Sequence, residues 1–87
     1  MKISGRQLAA ARALLNWSQQ HLATAAGVTQ QTIALWETEQ QVPRATTLER
    51  VKTVIEARGV EFTNGGAPGV RFKPKPGASA ESESAGK

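Results

Sequence analysis

The stretch "LNWSQQHLATAAGVTQQTIALWE", Leu15–Glu37, contains two helix starts of the same design. Ser18 precedes one run and Thr29 the other, and each hydroxyl can accept a free N–H of a first helical turn. An apolar residue stands before each cap and another at the fourth helical position. These pairs, Trp17 with Leu22 and Val28 with Ile33, are placed to form hydrophobic staples. Gly27 supplies the positive φ that ends the first run, leaving a connection of only about three residues.

The spacing is demanding. Counted from Gln19 as the first position, such a unit needs apolar residues at the fourth, eighth, tenth, fifteenth and eighteenth. The chain supplies Leu22, Ala26, Val28, Ile33 and Trp36, with small Ala23 at the fifth and Gly27 at the ninth. Two short helices across a tight glycine turn make a helix-turn-helix candidate, whose second helix enters the DNA major groove.

Outward from this unit the reading is simpler. Ser4 and Gln7 make a capping box that opens a helix carrying Leu8, Ala11 and Leu15 on one stripe. Thr46 and Glu49 read as a second box, opening a helix that buries Leu48, Val51 and Ile55 and stops at Gly59. The period then changes to two. "VEFT" and "VRFK", separated by "NGGAPG", predict a hairpin with Val60, Phe62, Val70 and Phe72 on one face. The expected organisation is one domain over 1–73, with helices to about 59 and the hairpin at about 60–73. The tail 74–87, "PKPGASAESESAGK", has almost nothing to bury and is expected to be disordered.

Composition narrows the classes. The chain has 87 residues, no cysteine and a formal net charge of +4. Disulfides and thiolate metal sites are thereby excluded. The excess charge lies before the tail, where nine Lys/Arg stand against five Glu. That bias permits an anionic partner without demonstrating one. No apolar run has the length of a signal peptide or membrane span, so a cytoplasmic protein is expected.

Through "LNWSQQHLATAAGVTQQTIALWE", Pro43 and "TLERV", from about Ser4 to Gly59, the chain resembles the phage-repressor/Cro-type, or XRE-like, regulators. The resemblance implies a mainly α fold, a lambda-repressor-like bundle of four to five short helices, here with a C-terminal β-hairpin. It also implies a dimeric regulator that binds double-stranded DNA in the bacterial nucleoid, more often a repressor. Where the family often carries Asn-Gly after its glutamate, this chain has Thr38-Glu39, so the loop Glu39–Arg44 is expected to take another shape.

Individual residues follow. Gln30 and Gln31 lie off the stripe made by Ile33 and Trp36, and a glutamine amide donates and accepts at once, matching adenine N6 and N7. The resemblance assigns base reading to glutamines in "TQQ". Thr32 borders the same surface. Leu35 either meets a thymine methyl, completes the core or covers a dimer contact. Gln19, at a helix N-terminus, is a phosphate candidate, as are Thr29, Arg44 and, more weakly, Arg6. Trp17 and Trp36 occupy packing positions. Arg12 and Glu37 both fall on or beside buried stripes. A charge forced inward needs an opposite partner, so they are expected to form a structural ion pair, as at the family's matching positions.

No nucleophile–base set, metal-ligand spacing or phosphate loop in context is visible, so no enzyme, metal, cofactor or small-molecule ligand is expected. Lone His21 has no second ligand to share a metal. The hairpin is expected either to pair two protomers into a homodimer or to lie as a lid on the fourth helix. The rival functions are a protein-interaction module or an antitoxin retaining the fold. The interaction module is favoured by the absence of Lys and Arg from Trp17 to Gln41.

Overall fold

The computed structural model describes residues 2–64 and 67–73. The tail over 74–87 lies outside the described residues. Four helices come first: α1 (Gly5–Leu15), α2 (Gln19–Ala26), α3 (Gln30–Glu37) and α4 (Ala45–Ala57). Strands β1 (Val60–Thr63) and β2 (Gly69–Phe72) follow as an antiparallel hairpin, with Val60 opposite Phe72 and Phe62 opposite Val70. The chain is therefore mainly α, a short-helix bundle with a C-terminal hairpin.

Three helix starts are set by local chemistry. Ser4 accepts the Gln7 N–H while the Gln7 side chain accepts the Ser4 N–H, a complete capping box. Ser18 accepts from the His21 N–H at 2.9 Å, and Thr29 accepts from the Thr32 N–H at 3.2 Å. Gly27 ends α2 with φ +73°, in the left-handed region that an L side chain resists.

The fourth start differs from the expectation. α4 begins at Ala45, not after Thr46; Arg44 is the cap residue and contributes no side-chain cap bond. The Leu48 N–H reaches the Arg44 carbonyl at 2.9 Å, so the first turn closes ahead of Thr46. Ala45, the strongest helix former, takes the first helical position, and Thr46–Glu49 only imitates a box.

The core draws on every helix and on β1. Leu8, Leu22, Ile33, Ile55 and Val60 are completely buried, one from each of these elements. α2 packs on α3 and α4, while α1 lies between α3 and the hairpin. β1 touches both α1 and α4, whereas β2 lies against α1. The hairpin's apolar face is buried unevenly as a result. Val60 and Phe62 are buried, Val70 is half-buried, and Phe72 remains 56% exposed on the outer strand.

Gln7 locks this hairpin in place. Its Nε2 donates to the carbonyls of Thr63 and Gly69, each at 3.1 Å, bridging both strands where the hairpin loop begins. One buried amide thus caps α1 and ties the hairpin to it. Capping was legible from the sequence; the bridge was not, because its partners lie more than fifty residues along the chain.

Candidate nucleic-acid interface

Two residues place α3. Gly5 packs against the C-terminal end of α3 so closely that an added Cβ would lie 2.6 Å from the Glu37 carbonyl oxygen, and closer still to that of Trp36. Only glycine fits there. Trp36, buried beneath, donates from Nε1 to the Ile3 carbonyl at 3.0 Å. The N-terminal segment and α1 therefore hold the back of α3 and leave its opposite flank open.

An ion pair adds to this anchoring. Arg12 Nε donates to Glu37 Oε2 at 2.6 Å and its Nη2 to Oε1 at 2.8 Å, a two-pronged contact from α1 to α3. A third donor, Nη1, reaches the Trp17 carbonyl at 2.8 Å. The side chains are 21% and 7% exposed, so little water competes for them. The hydrogen bond to Glu37 raises the Arg12 pKa above its ordinary value; burial opposes this, and the Glu37 charge adds to it. Since the folded value is raised, this contribution persists below arginine's ordinary value and is lost only in strong alkali.

On the open flank, Gln30 and Gln31 are exposed in the first turn of α3, and Thr29 is exposed at its cap. Thr32 is half-buried, its hydroxyl 2.9 Å from that of Thr29. Leu35 is half-buried, and its carbonyl accepts the N–H groups of Gln40 and Gln41 at 2.9 and 3.2 Å. Arg44 is exposed and joins Thr32, Gln41, Val42, Pro43 and Thr47 around one surface cleft between α3 and the start of α4. Arg6 is exposed at the start of α1; among the described residues no hydrogen bond or ion pair links it to this surface.

Gln19 is not a free first-turn side chain. Its Nε2 donates to Glu37 Oε1 at 3.0 Å, and its Oε1 accepts from Gln30 Nε2 at 3.1 Å. A chain of hydrogen bonds thus runs from Arg12 through Glu37 and Gln19 to Gln30.

Three residues here escaped the sequence reading as site-builders: Gly5, Gln7 and Glu39. Glu39 adopts φ +62°, the left-handed turn that Gly or Asn more often provides, and its carboxylate accepts the Gly5 N–H at 3.0 Å. The departure at Thr38-Glu39 was visible, but its partner was not.

A helix-turn-helix family model matches residues 8–56, more than half of the chain. The chain belongs to the phage-repressor/Cro-type helix-turn-helix family. Among curated proteins, no relative matches it. In helix-turn-helix terms, α2 is the first helix of the motif, Gly27 its turn and α3 the recognition helix. This family comprises DNA-binding regulators of transcription rather than enzymes. Among the described residues no group of three or more His, Cys, Asp or Glu is arranged to hold a metal, and no helix is long and apolar enough to cross a membrane. His21 instead lies over Trp17, ring centroids 4.5 Å apart, with the Arg58 guanidinium 5.6 Å from the Trp17 ring.

Proposed function

We propose that this helix-turn-helix protein binds specific double-stranded DNA sequences, reads them with α3 in the major groove, and acts as a dimeric repressor. The observation that carries this reading is the exposure of Gln30 and Gln31 in the first turn of α3, while Ile33 and Trp36 of the same helix are buried. Recognition helices contact base edges with their N-terminal residues, and glutamine matches adenine at N6 and N7. Among the described residues, the hairpin leaves both glutamines exposed.

Thr32 and Leu35 complete the reading surface, Leu35 toward a thymine methyl. Thr29 and Arg44 lie at its margins as phosphate contacts, with Arg6 as an outlying one. At Gln19 the amide oxygen and one amide N–H are engaged, so a phosphate contact there falls to the other amide N–H and to the backbone N–H at the α2 N-terminus. The second protomer is expected at the hairpin, where β2 leaves Phe72 exposed beside the cross-strand pair Arg71–Glu61. Such a protein would work in the bacterial nucleoid.

Selection from random duplexes tests the reading. The expected result is a palindromic consensus that loses definition at one base pair per half-site in Gln30→Ala, and at another in Gln31→Ala. A pool that stays random would favour the interaction-module reading, which the lack of Lys and Arg between Trp17 and Gln41 supports.

A further inference from the structure

We infer that two copies of the chain join antiparallel through the open edge of β2, with Arg71 on the two-fold axis and Val70 of each facing the partner's Phe72. The pairing rests on the dimeric reading proposed above and gives it a register and a seam.

The backbone decides which groups are free. β1 and β2 form a two-stranded sheet, so among the described residues the far edge of β2 has no strand beside it. The Lys73 N–H donates to the Gly59 carbonyl at 2.7 Å, in step with the register that sets Glu61 opposite Arg71. Hydrogen-bonded positions alternate along an antiparallel pair. Gly69, Arg71 and Lys73 therefore turn their N–H and C=O groups toward the β1 side. Those of Val70 and Phe72 point to the open edge.

Such an edge is a template for another strand, and Pro68 and Pro74 select how a second copy fits it. With the axis at Arg71, Val70 and the partner's Phe72 exchange both backbone bonds, and the reciprocal pair does the same. Moving the axis to Val70 sets Phe72 against the partner's Pro68. Moving it to Phe72 sets Val70 against the partner's Pro74. Neither proline has an N–H to give.

The side chains favour the same register. Val70 and Phe72 share the hairpin face that carries Val60 and Phe62, and an aromatic residue opposite a β-branched one is a favourable cross-strand pair. It would cover Phe72, which the lone protomer leaves largely exposed. Leu14 lies two turns beyond the Gln7 that binds the Gly69 carbonyl, on the same flank of α1, and is exposed too. On the opposite face Arg71 is paired with its own Glu61, so each guanidinium reaches the axis beside a carboxylate.

Because the chain has no cysteine, one introduced thiol reports the register. The two copies of residue 71 would form a non-hydrogen-bonded pair about 4.5 Å apart, within reach of a disulfide. Arg71→Cys should therefore crosslink under mild oxidation. Lys73→Cys, on the same face, should not, because its two copies would be offset by about 13 Å along the strands. Phe72→Pro removes an N–H that β1 does not use and a side chain that is mostly in water, so the variant should fold. Its dimer dissociation constant in sedimentation equilibrium should rise by at least about tenfold. A parent dimer in which Arg71→Cys crosslinks no faster than Lys73→Cys, or which Phe72→Pro leaves intact, would overturn the edge pairing and leave the dimeric regulator standing. A parent that stays monomeric at every concentration, free and on a palindromic duplex, would remove the dimeric reading and the seam together.

Discussion

Glu39 turns the chain out of α3 at φ +62°, a conformation that costs a non-glycine residue roughly 1 kcal/mol. Its carboxylate offsets that cost at the N-terminus of α1, where the Gly5 N–H has no helical partner and negative charge is favoured. The two effects separate on substitution. Glu39→Ala keeps the strain and loses the bond, and should lower stability by about 1 kcal/mol. Glu39→Gly loses the bond but also the strain, and should stay within about 0.5 kcal/mol of the parent. Urea melts of both variants check this; an alanine variant as stable as the glycine one would refute the assignment. The sequence showed that something unusual stands here. It did not show what the carboxylate meets, because Gly5 is 34 residues away.

α1 fixes the recognition helix from behind. Gly5 brings backbone to backbone, Arg12 brings charge to charge, and Gln7 ties the hairpin to the other side of the same helix. Gly5→Ala would force α1 and α3 apart, since the obstructing atoms are main-chain carbonyls that cannot rotate away. A loss of about 2–3 kcal/mol is expected in thermal or urea melts, with α3 amides exchanging faster than those of α4. Arg12→Met and Glu37→Gln each leave a nearly buried charge without its partner, and each should cost on the order of 3 kcal/mol. Melts shifted by less than about half a kcal/mol would show that water already satisfies the pair. At this scale the caps at Ser4, Ser18 and Thr29 were legible, because a cap and its N–H lie three residues apart. The start of α4 was misread for the same local reason. Thr46 and Glu49 have the right spacing, but the turn had already closed at Arg44.

For the whole molecule, charge placement predicts how DNA binding responds to salt. The motif from Trp17 to Gln41 carries no Lys or Arg, and Arg44 lines the cleft beside the reading surface. Few counterions are then released per protomer. The logarithm of affinity against the logarithm of salt concentration should have a slope no steeper than about −2 per protomer, corresponding to roughly two phosphates neutralised. A much steeper slope, measured by titration across salt concentrations, would place the contact on another surface. So sparse a grip also makes a lone protomer a weak binder. Affinity should rise with protomer concentration as two half-sites about one helical turn apart are engaged together.

The sequence by itself determined the parts governed by neighbours. These are the caps, the glycine turn, the apolar spacing of the motif, the change of period at Gly59 and the candidate reading residues at the head of α3. Each rests on contacts within about a turn or two, so each leaves a mark in local spacing. Only the tertiary structure decided that Gly5 holds α3 from behind, that Gln19 turns toward Glu37 and Gln30, that Gln7 holds both strands, and that the hairpin buries β1 while leaving Phe72 in water. Those outcomes depend on where distant segments meet, and a hydrogen bond across twenty or sixty residues has no period for a sequence to display.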